Sequence, residues 1–408
     1  MKVLWILPES PYPPDRGPHH HTYGLLQGLV QQYVCDIDII GFYRDNSDLE
    51  RWRQLQQTLP NVCIRNIFPE TIKLLQPFYA ILSLLQKEPF VLRRYKSLVF
   101  SAYLGNLIKI QNYDLVHFDQ FKVGHYWTYV NDTPRILVPY DAFSLGYHRA
   151  FKLRKSLVKK LSAFYLYFAF SHLEKKLYPH FTIVCPTSRI DAEWLKTRVP
   201  AANIETLEIP VAEEFFVRAT PGISTSQEPH LICIGWFSAE EVAVGAIEFL
   251  RRSLPLIKRV VPDLKVTIWG KNPIPALRTL IAQTPDVRLV EWVEDFISML
   301  KSAWVVVFPQ ASGSGIQTKA QQALALGIPV VAKREVLEPL YVQSGKQAFM
   351  LDTPSEMAEG VIALLTDATL RRQIGEAATE HMRQHFSQEV ITRKLMWLYE
   401  RAVKSQRG

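Results

Sequence analysis

The 408-residue chain has room for two or three domains with sizeable cores, and its 48% apolar and 21% charged content is that of a soluble globular protein rather than a low-complexity one. Its four cysteines (Cys35, Cys63, Cys185, Cys233) lie far apart without CxxC or metal-type spacing, which argues for free thiols in a reducing compartment. The net charge of +8 is uneven: residues 149–176 hold eight basic residues against one acidic, Glu174, so this stretch carries +7 and the rest is almost neutral.

The amino terminus, MKVLWILPESPYPP, has a five-residue apolar core before a charged, proline-rich turn. That is short for a signal peptide and predicts a first strand. Further strands are expected at 35–42, 62–67, 115–118, 135–138, 181–185 and 204–209. Helices are expected at 19–32, 71–86, 97–111, 155–177 and 188–198. Such alternation predicts a parallel sheet covered on both faces. The longest apolar run, 161–170, contains Ser162 and is flanked by lysines, so no membrane span and a cytoplasmic location are expected. Residues 213–229, rich in Pro, Gly and Ser/Thr, read as an interdomain linker.

A second series follows: strand 231–235, helix 243–261, strand 266–269, helix 274–283, strand 287–290 and a short helix 295–302. Then comes VVVFPQASGSGIQTKAQQALALGIPVV, residues 305–331, read as strand, glycine turn, helix and strand. Helices at 354–366, 369–385 and 388–405 close the chain. Glycines before a helix let backbone approach a ligand, and the free N–H groups of the first turn then face it, which suits a phosphate. Lys319 falls in that turn, with Gln322 three residues later on the same face. An ordinary strand–turn–helix with a solvated Lys319 fits the spacing equally well.

Other candidates cluster where doubly wound sheets bind ligands, beyond the carboxyl ends of strands. Gly17 and the histidines His19, His20 and His21 open the first helix. Successive helical side chains point about 100° apart, so three adjacent histidines cannot share one metal, and no metal site is expected. His117 and Asp119 end a strand in DLVHFDQ, where a histidine could bond a sugar hydroxyl or sit satisfied in the core. Asp141 is a weaker candidate of the same kind. Gly235 ends the first strand of the second series, and Trp292 with Val293 could hold a nucleobase or pack in the core. In 149–176, Phe151, Leu157, Leu161, Phe164, Tyr165 and Phe168 interleave with the charges. Lys152, Lys155 and Lys159 fall at helical spacing there. The stretch is either a peripheral membrane surface or a solvated helix face with core aromatics. Nucleic acid is not expected as a partner, since basic residues cluster nowhere else.

Together, PYPPDRGPHHHTYGLLQGL, DLVHFDQ, RILVPYDAFS, GWFS, LVEWVEDFISML and GSGIQTKAQQALALGIPVVA resemble the retaining GT-B glycosyltransferases, family four or group 1. The resemblance implies an α/β chain of two doubly wound Rossmann-like domains facing across a cleft. Residues 1–212 would bind acceptor, with helix 388–408 crossing back onto them, and 230–387 would bind a nucleotide sugar. It implies hexose transfer with retention from a nucleoside-diphosphate sugar to a glycan or lipid-linked acceptor, without a cofactor or metal. Lys319 with Gly315 and Ile316 would meet the diphosphate, Ser314 and Gln322 would complete the donor site, Gly235 would approach the diphosphate, and Trp292-Val293 the base. His117 would act in catalysis, and Gly17, His20 and Asp119 would line the acceptor side. The sequence departs from the family at four places. Gln322 replaces the glutamate of its LEAMA-like segment and Ser314 a second glutamate eight residues earlier. A basic pair is missing from GWFSAEEVAVG, as is an Asn-Gly from IPVAEEFF. These departures leave a second expectation, a non-catalytic GT-B relative that stabilises another transferase; an epimerase on the same architecture is a third.

Overall fold

A computed structural model describes every residue except 72–82, 84–85, 131, 155, 311–314 and 408. The chain forms two compact units: residues 1–151, 157–210 and 388–408 build the first, and 152–156 with 211–387 the second.

In the first unit the order is β1 (Lys2–Leu7), α1 (Gly17–Gln32), β2 (Asp36–Tyr43), α2 (Asn46–Thr58), β3 (Val62–Pro69), α3 (Leu98–Ile110), β4 (Leu115–Asp119), β5 (Arg135–Tyr140), α4 (Phe143–Leu153), α5 (Leu157–Leu177), β6 (Ile183–Pro186) and α6 (Arg189–Arg198). All six strands are parallel, in the order β3-β2-β1-β4-β5-β6. The strand order therefore reverses between β1 and β4. Val3 to Leu7 and Leu115 to Asp119 are buried throughout, as strands covered on both faces must be.

The second unit continues with α7 (Glu213–Val217), β7 (His230–Ile234), α8 (Glu240–Glu248), α9 (Leu254–Val260), β8 (Lys265–Trp269), α10 (Pro275–Gln283), β9 (Val287–Val290), α11 (Phe296–Lys301), β10 (Val305–Phe308), α12 (Thr318–Ala325), β11 (Val330–Ala332), α13 (Arg334–Leu337), β12 (Phe349–Met350), α14 (Pro354–Thr366) and α15 (Ala368–Phe386). Its parallel sheet runs β12-β11-β10-β7-β8-β9 and reverses between β10 and β7. The final helix, α16 (Gln388–Arg407), belongs to the first unit. It buries Ile391, Leu395, Leu398, Tyr399 and Ala402, and its Lys394 Nζ donates to Glu208 Oε2 at 2.7 Å.

Four expectations change. The strand expected at 204–209 reduces to a single bridge, Val184 with Ile204, although Glu205 and Leu207 N–H still donate to the β6 carbonyls. The helix expected over 243–261 is interrupted by a π-turn at Phe249–Ser253, where Pro255 removes a backbone donor from the following turn. Residues 213–229 are not a free linker: the Gly222 N–H donates to Gly327 O at 2.8 Å, the Thr225 N–H to Lys301 O at 2.9 Å, and Arg218 pairs with Asp295 at 3.2 Å. Backbone bonds, this ion pair and the burial of Phe215 and Phe216 hold the segment to the second unit. Finally, the helix expected over 155–177 starts at Leu157 and Lys152 lies on α4, so Lys152 and Lys159 share no helix face. Lys155 and nearly all of the helix expected over 71–86 lie outside the described residues.

Glu174 on α5 is 1% exposed and accepts the Ser144 N–H at 3.0 Å. Burial pushes its carboxyl up to about 7, against the Ser144 bonds that lower it, and nearby Asp191 adds to the rise. A carboxyl raised in the fold contributes its stability fully below its unfolded value and loses it as pH climbs through about 7, an effect of up to about 3 kcal/mol. We predict that Glu174→Gln flattens this dependence. Denaturant unfolding at pH 5 and pH 8 should show the parent protein weakening more than the variant; parallel losses would contradict the assignment.

Candidate functional site

The second unit gathers its notable side chains at the carboxyl edge of its sheet, beside the reversal between β10 and β7. Open α/β sheets bind ligands at such points because the loops diverge there and leave a crevice. Gly235 follows β7 and Gly270 follows β8, and a Cβ on Gly270 would run into the Gly235 carbonyl. Only glycine lets these two strand ends approach so closely. Trp236 stands 74% exposed beside them, and Trp292, beyond β9, 66% exposed.

β10 leads through Pro309 and Gln310 into the turn before α12. Gly315 there has a φ of +69°, a left-handed conformation that costs glycine little and other residues more. The side chain of the N-cap residue, Gln317, does not cap the helix, so the first turn of α12 keeps donors that an anion could accept from. Lys319 sits at that turn with its Nζ 3.6 Å from the centre of the Trp269 ring. No carboxylate pairs with it among the described residues. Burial lowers its ammonium to about 8, and the charge of Lys271 adds to the effect. Trp269 is held in turn by stacking on Phe296 at 4.9 Å. Gln322 is buried one turn farther along α12, and Gln310, 3% exposed, has an Oε1 without a hydrogen-bond partner among the described residues. This is a half-buried, unpaired cation at an uncapped helix start: it is charged but lacks a counter-ion.

The first unit has a polar group of its own at the reversal between β1 and β4. Glu9, just beyond β1, bonds Arg16 at 3.0 Å and lies 3.6 Å from Lys122 Nζ. Burial acts to raise its carboxyl, but neighbouring His19, Lys122 and Arg16 outweigh it and hold the group well below the usual carboxylate range. Arg16 donates to His19 Nε2 at 2.7 Å. A guanidinium only donates, so Nε2 accepts and the His19 proton sits on Nδ1, facing Asp15 Oδ1 at 2.7 Å. Arg16 is half exposed, which leaves this network open to solvent.

The sequence candidates divide accordingly. Lys319, Gly315, Ile316, Gln322 and Gly235 share the second unit's carboxyl edge, and Trp292 with the half-buried Val293 lies at the end of β9 on the same edge. Ser314 lies outside the described residues. Gly17 opens α1, and the adjoining His20 is half-buried, with its imidazole lowered to about 4 by burial and by the neighbouring His19. Two candidates are corrected. His117 is 0% exposed: its ring stacks on Trp5 at 3.8 Å, its Nδ1 bonds the Tyr399 hydroxyl at 2.8 Å, and α16 covers it. Burial lowers its imidazole, against the pull of Asp119, and in this structure the ring packs in the core of the first unit rather than lining an open surface. Asp119, 1% exposed, accepts from Thr22 at 2.9 Å and Tyr140 at 3.1 Å, so its oxygens are engaged inside the unit. Trp269, Gln310, Glu9, Arg16 and Lys122 were missed. The edge rule that selected Gly235 would have selected Trp269 and Glu9, each of which ends or follows a strand of the same sheets. Among the described residues no three His, Cys, Asp or Glu side chains form a metal-binding group, and no helix is long and apolar enough to cross a membrane.

Residues 228–367, which include the whole of this edge, match the family described as Glycosyl transferases group 1. The chain resembles the group 1 glycosyltransferases. A capsular polysaccharide biosynthesis glycosyltransferase, CapM of Staphylococcus aureus, is 28% identical over 130 residues, 31% of this chain and 34% of that protein. A D-inositol 3-phosphate glycosyltransferase of Corynebacterium jeikeium is 30% identical over 138 residues, 32% of each chain. The match thus spans about one third of the length of these curated relatives. Over the whole chain the likeness is one of fold. The sucrose-phosphate synthase of Thermosynechococcus elongatus superposes with a TM-score of 0.70 at 15% identity, covering 99% of this chain and 100% of that one. Anabaena HepE, solved with UDP and glucose, gives 0.64 at 12% identity, covering 98% and 100%. The fold is GT-B.

Lys319 supplies a direct check on the site. With its ammonium near 8, about half of it is unprotonated at that pH, against well under 1% of an ordinary lysine. Acylation by an amine-selective reagent, followed by peptide mass spectrometry across pH, should give Lys319 a midpoint near 8, well below that of a lysine in a short reference peptide at about 10. A shared midpoint would contradict the desolvation of Lys319.

Proposed function

We propose that this chain transfers a hexose, with retention, from a nucleoside-diphosphate sugar to a glycan or lipid-linked acceptor. The observation that carries the proposal is Lys319: an unpaired, partly desolvated cation at the uncapped start of α12, inside the region that matches the group 1 family. A donor diphosphate would accept from the first-turn N–H groups and from Lys319, and the charge that develops on the leaving group would be met by groups already in place. Gly235 and Gly270 would leave room for the diphosphate, and Trp292 with Val293 would flank the base. Lys319 supplies the positive charge in this scheme, with no metal ion or other cofactor invoked. The first unit would take the acceptor near Gly17, His20 and the Glu9–Arg16–His19 network. A cytoplasmic setting, where nucleotide sugars are made, accords with this chemistry.

Gln322 favours a second reading, a GT-B relative that stabilises a partner transferase without turnover. An amide bonds a ribose hydroxyl without the charge that makes a carboxylate's bond roughly twice as strong. Nucleotide binding without donor hydrolysis or transfer, for any sugar screened, would select that reading.

Calorimetric titration with uridine and guanosine diphosphates tests both. One of them should bind, and Lys319→Ala should weaken it about ten- to a hundredfold, the loss of a charged hydrogen bond. Failure of both diphosphates to bind would overturn the transfer reading and leave the non-catalytic one, and unchanged binding in the variant would remove Lys319 from the phosphate site.

A further inference from the structure

Helix α5 is apolar on two faces, and only one of them is used by the fold. Ala163, Phe170, Leu173 and Leu177 are buried. Leu157, Leu161, Phe164 and Phe168, spaced four, three and four residues apart, fall in a stripe about 60° wide on the opposite side. They are exposed by 71%, 59%, 44% and 56%, with Val158 beside them at 77%. Phe164 and Phe168 pack on one another at 4.9 Å, so the stripe presents a joined aromatic surface. Single exposed apolar residues need no explanation, but a contiguous row over three turns marks a surface that meets something.

The charges say what it meets. Lys175 continues the stripe seven residues beyond Phe168, and Lys160 and Lys176 flank it, while the helix's one acid, Glu174, is buried on the other face. Lys160 also lies over the Phe151 ring at 5.2 Å. A second copy of the chain would bring a like basic face against this one. An anionic bilayer complements both features: the apolar row enters the boundary between headgroups and acyl chains, and the lysines stay at the level of the headgroups.

We propose that the exposed face of α5 docks the protein on an anionic lipid surface. The docking is independent of the transfer activity proposed above, since it uses no residue of the nucleotide site. It is tested by co-sedimentation of the full chain with phosphatidylcholine vesicles, with and without roughly one-third phosphatidylglycerol, at low and high salt. Anionic vesicles should bind at least about tenfold more protein than neutral ones, and salt should weaken the binding. Lys175→Glu with Lys176→Glu should lower partitioning at least about twentyfold, each basic residue near such a surface being worth about fivefold. Phe164→Ser with Phe168→Ser should lower it at least about tenfold at low salt while leaving the melting temperature unchanged, because both rings are exposed. If that pair unfolds, Leu157→Ser with Val158→Ser probes the same end of the helix independently. Equal partitioning onto neutral and anionic vesicles would overturn the proposal, as would retention of binding in both variants. Absent vesicle binding, with a dimer that the phenylalanine pair abolishes, would assign the face to a second copy instead.

Discussion

Lys319 is a cation placed where water reaches it poorly and where, among the described residues, no carboxylate pairs with it. Its Nζ lies 3.6 Å from the Trp269 ring centre, and its ammonium falls to about 8. The arrangement depends on the whole edge of the second sheet. β8 must end in Trp269, Phe296 must back that ring, Gly235 and Gly270 must allow the strand ends to close, and α12 must begin without a side-chain cap. Cation–π attraction compensates the desolvation only in part, about 0.5–2 kcal/mol in such settings. An arriving anion would supply the missing partner, and the first-turn N–H groups would bond it at the same time.

The first unit resolves the same kind of problem differently. Glu9, Arg16, His19, Asp15 and Lys122 satisfy one another at its own strand reversal, so charge there is balanced before any ligand arrives. His117 and Asp119 lie deeper, where Trp5 stacks on the His117 ring, Tyr399 bonds its Nδ1, and Thr22 and Tyr140 bond the Asp119 carboxylate. These two residues position elements of the fold, whereas the network around Glu9 keeps an exposed side.

The fold was largely legible because parallel strands buried on both faces leave continuous apolar runs, as in 3–7, 231–234 and 305–308, and intervening helices leave periodic ones. Legibility failed where backbone rather than side-chain pattern decides. Residues 213–229 look solvated but bond the second unit through Gly222 and Thr225, and the π-turn before Pro255 leaves no period of its own. Within the site, Lys319 and the glycines were readable from motif spacing. The ring of Trp269 was not, because sequence spacing carries no information on which strand end a helix start will face. His117 shows the converse: the end of a strand is a good place to look for a reacting histidine, but only packing reveals that α16 seals this one. On α5 the two apolar faces cancel in any periodic reading, so the exposed row became visible only once the buried face was known.

Proton linkage tests the central claim most directly. If a nucleoside diphosphate binds against Lys319, it must restore the ammonium to its charged form, so binding above the free value of about 8 takes up a proton. Calorimetric titration at a pH half a unit above that value, in two buffers of different ionisation enthalpy, should show uptake of about 0.7 proton per site, falling toward zero near pH 6 and absent from Lys319→Ala. Binding whose heat is the same in both buffers would contradict the assignment of the anion to Lys319.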